Sequence, residues 1–282
     1  MPRLLLIHTG GTIGMAPGPN GLAPVKGLVE SALSARLTDD ITLVANVFNP
    51  LLDSASVGPT HWNAMLEAIR AHPGVPTIIT HGTDTMSFTG AALSQALVGE
   101  GRRVILCGSM VPLGENGDAE GNLSLAIEAS QQEGEGVFLA FAGQLLRAEG
   151  LVKHHSHDPI SFRALPQAPL PQPKSRTFDE RKFAILTLSP GIAADTLAAA
   201  LATLDGAVLR VFGAGTVMAC PVVLKAFEDA VKAGKRIRAV SQCEGGGIIP
   251  GSYEAGAGLW EAGVENGGDD TPEAALIKLW LN

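Results

Sequence analysis

Only three of the 282 residues are cysteine (Cys107, Cys220, Cys243), and Tyr253 is the single tyrosine. An odd number of widely separated cysteines makes no disulfide framework, and without a CxxC pair there is no redox-thiol motif. Free thiols in a reducing compartment are expected, hence a cytoplasmic protein. Positive charge is also scarce, with 20 Lys and Arg against 28 Asp and Glu and a formal net charge of -8. A surface of that sign does not grip phosphate backbones, so nucleic acid is not an expected partner. No apolar stretch approaches the roughly 20 residues that span a bilayer, so no membrane partner is expected either. The run Leu4–His8 is too short for a signal-peptide core and leads into a glycine-rich turn instead of a cleavage site. It reads as a first strand. There is no GxSxG elbow and no GxxxxGK[ST] loop, and Gly10, Gly11 and Gly14 lack GxGxxG spacing. A serine α/β-hydrolase and a nucleotide-binding α/β protein are both disfavoured.

What the chain has instead is alternation. Short β-rich runs at 4–8, 41–48, 75–80, 103–107, 136–142, 183–188, 206–211 and 236–241 are separated by helical patterns. That is the signature of a mainly parallel sheet with helices on both faces. One helix is predicted from Pro59, with Trp62, Met65, Leu66 and Ile69 on one face. Another carries Val223, Leu224, Phe227 and Val231 and stops at Gly234, and a last one opens on Thr271-Pro272-Glu273. Four prolines between 165 and 181 exclude a helix or a central strand there. The expected organisation is therefore an N-terminal α/β domain over 1–164, a linker over 165–181 and a smaller C-terminal α/β domain over 182–282.

Ligands of open α/β sheets bind beyond the carboxyl ends of the strands. The expected strand ends carry Thr9-Gly10-Gly11-Thr12-Ile13-Gly14, Asp53-Ser54-Ala55-Ser56, His81-Gly82-Thr83-Asp84-Thr85 and Gly108-Ser109-Met110, with a loop leading to Lys153. Each piece also fits a bland role: a tight turn, a helix cap, a surface lysine. Together they offer a hydroxyl nucleophile and a relay. A threonine hydroxyl needs a neighbouring base and a group to orient that base, and Lys153 with Asp84 can supply both. His154-His155-Ser156-His157-Asp158 invites a metal, yet no matching ligand group stands elsewhere, so neither metal nor cofactor is expected. The loop Glu244-Gly245-Gly246-Gly247 reads as a close-packed turn.

Thr9-Gly10-Gly11-Thr12-Ile13-Gly14-Met15 and His81-Gly82-Thr83-Asp84-Thr85-Met86 together resemble the two signature motifs of the bacterial-type L-asparaginase/glutaminase family. Pro50-Leu51-Leu52-Asp53-Ser54, Ser189-Pro190-Gly191-Ile192, Ser241-Gln242-Cys243 and Gly251-Ser252-Tyr253 follow in family order, closer to its cytoplasmic type I branch. The resemblance implies an α/β fold with a flavodoxin-like, mainly parallel N-terminal domain, and a homodimer or homotetramer with sites at an interface. It also implies cofactor-independent hydrolysis of L-asparagine to L-aspartate and ammonia. On that pattern Thr12 is the nucleophile that forms an acyl-enzyme, and Thr83, Asp84 and Lys153 are the relay. Asp53 and Ser54, with Ala55 adjoining, hold the substrate's α-amino and α-carboxylate groups. Gly11, Gly82 and Ser109 complete the binding set, with amides near Gly11 and Ser109 as oxyanion donors. The family's lid loop places a tyrosine against the nucleophile, whereas this chain has Leu22, which closes a lid but cannot polarise a hydroxyl. A glutaminase or broader amidase, and a non-catalytic amino-acid-binding homologue, are the competing readings.

Overall fold

Leu4, Leu5, Leu6 and Ile7 are almost completely buried in succession, as a strand covered on both faces requires. They form the centre of β1 (Arg3–Gly10) in a computed structural model that describes residues 2–19 and 21–282. The chain divides into two compact units, Met1–Ala164 with Arg176–Phe178, and Leu165–Ser175 with Asp179–Asn282. The proline-rich segment is thus shared between them. In the first unit Asn63 brackets Phe178, donating to its carbonyl and accepting from its amide at 2.7 and 2.8 Å. In the second, the Lys174 and Ser175 amides both donate to the Leu281 carbonyl.

After β1 the first unit forms a ribbon of β2 (Met15–Gly18) and β3 (Gly21–Pro24), then α1 (Leu28–Ser34), β4 (Thr42–Leu52) and α2 (Pro59–Arg70). It continues through β5 (Thr77–Thr80), α3 (Met86–Ala96), β6 (Arg103–Cys107), α4 (Ala119–Ser130), β7 (Gly136–Phe141) and β8 (Gln144–Arg147). The main sheet has the order β4-β1-β5-β6-β7-β8, parallel through β7 with β8 antiparallel at the edge. Its five parallel strands follow the flavodoxin-like order, in which the winding reverses between the first strand and the third along the chain. Here those strands are β1 and β5. The mainly parallel α/β class expected from the sequence is the class observed.

Three details differ from the sequence reading. The third strand begins at Thr77, two residues later than expected, because Pro76 has no amide to give to a ladder. Lys153 is not on a loop but ends β9 (Leu151–Lys153), which pairs antiparallel with β10 (Phe162–Ala164), Lys153 opposite Phe162. β8 and the 3-10 turn Ala148–Gly150 lead into it, and T-shaped packing of Phe141 on Phe162 holds the ribbon to the end of β7. Helix α3 escapes an amphipathic reading because every residue but Phe88 is buried, leaving no polar stripe.

The second unit stacks β11 (Phe183–Thr187), β12 (Gly206–Val211), β13 (Arg236–Ser241) and β14 (Glu265–Asn266) in sequence order, all parallel. Helices α5 (Ala194–Thr203), α6 (Pro221–Lys232), α7 (Ala257–Glu261) and α8 (Pro272–Leu281) complete it. Its core gathers Leu209, Val211, Val223, Phe227 and Leu259. No helix among the described residues is long and apolar enough to cross a membrane.

Candidate active site

The reversal of winding between β1 and β5 opens a crevice beyond their carboxyl ends, and the two threonine motifs sit there. Thr12 opens a 3-10 turn, Thr12–Gly14, directly after Gly10 and Gly11, whose φ angles are 129° and 91°. Side chains rarely adopt that backbone. Space forbids them too, since a Cβ on Gly10 would stand 2.1 Å from the Leu52 carbonyl oxygen and one on Gly11 2.5 Å from the Gly82 amide nitrogen. The glycines let the end of β1 lie against the end of β4 on one side and the His81-Gly82 loop on the other. Ile13 is fully buried, anchoring the turn, and leaves Thr12 half-buried beside it.

The loop after β5 holds Thr83 and Asp84. Lys153 Nζ donates to Thr83 Oγ1 at 2.9 Å and to Asp84 Oδ1 at 2.6 Å. The lysine side chain is 15% exposed and the aspartate 69%, so the cation sits inside and its partner faces outward. Neither Thr83 nor Asp84 caps the following helix. Thr85 is the N-cap of α3, without a side-chain cap bond, and its hydroxyl donates to the Ser54 carbonyl at 2.6 Å. Asp53 instead caps its own turn, Ser54–Ser56, by accepting from the Ala55 amide at 2.8 Å. Ser54 is buried, and a Cβ on Gly82 would stand 2.7 Å from its Oγ. A Cβ on Gly108 would likewise stand 2.6 Å from the His81 carbonyl oxygen. Four strand-end loops therefore touch through glycine.

Some residues that build this arrangement lie outside the group of Thr12, Thr83, Asp84 and Lys153. His81 is completely buried, and desolvation pushes its pKa down to about 4. Neutral, it donates from Nδ1 to the Gly82 carbonyl at 2.6 Å and accepts at Nε2 from the Thr89 hydroxyl at 3.0 Å. Thr89 in turn accepts from Trp62 Nε1 at 3.0 Å. This chain fixes the turn that presents Thr83. The Ser109 loop is held likewise, by Asp118 accepting from the Met110 and Val111 amides and by Asn122 donating to the Gly108 carbonyl. Ser109 is buried, with no partner for its hydroxyl among the described residues.

Leu22 lies on β3, half-exposed at 50%, opposite Pro17 across the ribbon, and no bond joins it to Thr12. The base of that ribbon is tied to the Thr12 turn by the Val25 amide, which donates to the Gly14 carbonyl at 2.9 Å. The histidine run is self-contained, the His157 and Asp158 amides donating to His155 Nδ1. Among the described residues no group of three His, Cys, Asp or Glu side chains is placed to hold a metal. Gly247 is confined to its turn, a Cβ there standing 2.1 Å from Asp269 Oδ1.

The first unit is thus flavodoxin-like, with threonine hydroxyls, a carboxylate and a lysine at its switch point, and a smaller parallel α/β unit follows it. The N-terminal asparaginase family model matches residues 3–181 and the glutaminase/asparaginase C-terminal domain model matches 182–282, so the chain belongs to the asparaginase family. It is 31% identical to L-asparaginase 1 of Escherichia coli, over 98% of this chain and 90% of that protein. It is 29% identical to a human 60 kDa lysophospholipase, over 98% of this chain and 57% of that protein. The solved thermostable L-asparaginase of Thermococcus kodakarensis superposes with a TM-score of 0.83 at 28% identity, covering 99% of this chain and 92% of that one.

Proposed function

We propose that this protein hydrolyses L-asparagine to L-aspartate and ammonia through an acyl-enzyme on Thr12. The observation that carries the reading is the double contact of Lys153 Nζ with Thr83 Oγ1 and Asp84 Oδ1 beside the Thr12 turn. Thr12 Oγ attacks the side-chain amide carbon while its proton passes to the relay of Thr83, Asp84 and Lys153. Amides near Gly11 and Ser109 receive the oxyanion. The C–N bond breaks as the nitrogen takes a proton and leaves as ammonia. Water then attacks the ester, freeing L-aspartate and restoring the threonine. Asp53 and Ser54, with Ala55 and Gly82 adjoining, hold the α-amino and α-carboxylate groups. The protein acts in the cytoplasm, as its free cysteines suit, and as a homodimer or homotetramer.

A second reading has one observation in its favour: Lys153 Nζ contacts Thr83 Oγ1 directly at 2.9 Å, so Thr83 can be the residue that attacks. Mass spectrometry of the quenched enzyme discriminates, by locating the aspartyl adduct on Thr12 or on Thr83. Ammonia release from L-asparagine, L-glutamine and D-asparagine tests the activity and separates an asparaginase from a glutaminase or broader amidase. Asparagine binding by calorimetry without ammonia release would overturn the reading in favour of a binding homologue.

A further inference from the structure

His8 stands four residues before Thr12 on β1, preceded by four aliphatic residues, and is itself only 1% exposed. Packing alone gives no reason for a polar ring at that place. Its Nδ1 lies 2.7 Å from the hydroxyl of Thr80, the residue before His81, and so touches the strand that ends in the Thr83 motif. Its other edge lies beneath the nucleophile turn, for a Cβ on Gly14 would stand 2.8 Å from Cε1 and 2.9 Å from Nε2. His8 Nε2 is buried without a partner among the described residues, and so is Oε2 of Glu30, the acid in the first turn of α1. A buried orphan costs about 1–3 kcal/mol, so two among the residues lining one cavity are not a device for stability.

We propose that His8, together with Glu30, is a positioning residue for the Thr12 turn, an inference that rests on the amidase reading. The imidazole touches β5 through Thr80 and the turn through Gly14, and it shares its cavity with Glu30 of α1. The charged groups facing the surrounding cavity, of about 650 Å³, are Glu30 from α1 and Lys26 from the segment before it, with Asn49 from β4 and Thr80 from β5 the polar neighbours. Desolvation lowers the His8 pKa below 6.5, and the Glu30 carboxylate works against that shift. In its neutral form the ring stays under Gly14. A proton on Nε2 gives it a donor for Glu30 and draws it from beneath the turn.

The test uses His8→Ala, His8→Asn and Glu30→Gln in the full chain. The expected result for His8→Ala is a kcat reduced by about tenfold or more, with KM changed by no more than about twofold. Hydrogen exchange quickens at the Gly14 and Val25 amides and not at Leu209. His8→Asn, whose amide replaces Nδ1 opposite Thr80, recovers part of kcat. Glu30→Gln moves the acid limb of kcat to lower pH, because the carboxylate that favours the imidazolium is gone. Wild-type exchange at Gly14 and Val25 in His8→Ala, or an acid limb unmoved by Glu30→Gln, overturns the proposal. Should His8→Ala fail to fold, Glu30→Gln decides. If the wild type releases no ammonia, the amidase reading fails, and the exchange experiment still judges His8.

Discussion

Both units are built on mainly parallel sheets with polar side chains at their carboxyl edges, yet those side chains are bonded to different things. In the second unit Gln242 Nε2 donates to the Leu188 and Arg210 carbonyls at 2.7 and 2.9 Å, and Ser241 Oγ to the Gly213 carbonyl at 2.7 Å. Those side chains are spent on backbone carbonyls of the neighbouring strands and their ends. In the first unit Thr83, Asp84 and Lys153 are bonded to one another across loops, and glycine brings the backbones together. On the proposed reading, the same layered plan serves as a brace in one case and as a reagent in the other, because a fold alone does not fix a function. What separates the two is whether backbone or side chain satisfies the strand-end polar atoms.

The largest expected difference lies in activity. Thr12→Ala and Thr83→Ala should each lower kcat by about a thousandfold or more, since a nucleophile or relay member acts as part of a unit. Gln242→Ala should leave kcat within about twofold and instead reduce stability by about 2 kcal/mol, the consequence of two carbonyls losing their donor. Paired ammonia-release and urea-unfolding measurements check both. A Gln242→Ala variant as inactive as Thr83→Ala would break the contrast between brace and reagent.

The units should also respond to acid with opposite signs. Unfolded His81 takes up a proton near 6.5, while the buried ring resists until about 4. The first unit therefore loses stability as pH falls through that window, by at most about 1.4 kcal/mol per pH unit. Glu273 of the second unit is shifted the other way, its pKa raised above 4.5 because burial disfavours the carboxylate, with Arg210 only partly offsetting it. Its contribution is fully present below 4.5 and is lost as pH rises through the folded value. Glu273→Gln should accordingly raise the melting temperature at pH 7 and leave it nearly unchanged below 4.5, whereas His81→Gln should flatten the acid loss between 6.5 and about 4. Identical pH profiles of melting temperature for wild type and both variants would remove this distinction.

How much of this was legible in the sequence depends on the signal each element carries. Strands Arg103–Cys107 and Arg236–Ser241 are readable to the residue, the first because its buried Val104–Cys107 stretch is an unbroken apolar run. Helices with one wet face, such as Pro59–Arg70, are equally plain, but α3 is buried nearly all round and hides its period. The threonine motifs stand at strand ends and are found by the switch-point rule. The placement of Lys153 on a ribbon strand is not, since three residues in β9 are too short for a period. Nor is the chain of bonds from His81 through Thr89 to Trp62, which spans up to 27 positions and comes together only in the tertiary fold. His8 is hidden for the same reason: alone in an aliphatic strand it looks like an irregularity.

The smallest expected effect concerns Leu22, where the first unit presents an apolar side chain on the ribbon whose base binds the Thr12 turn. Half-exposed at 50%, it contributes little burial, so Leu22→Tyr should shift the melting temperature by no more than about 1 °C, and tyrosine suits a strand position. A phenol there carries a hydroxyl that leucine lacks and can donate to or accept from Thr12 when the ribbon lies over the site. The expected outcome is a kcat raised by about two- to tenfold with KM little changed, since one added bond to the attacking hydroxyl acts mainly in the transition state. Steady-state ammonia release at saturating L-asparagine measures it. An unaltered kcat would mean that Lys153 and Thr83 already perform all the activation that the site needs, and the reagent character of the first unit would then rest on the strand ends alone.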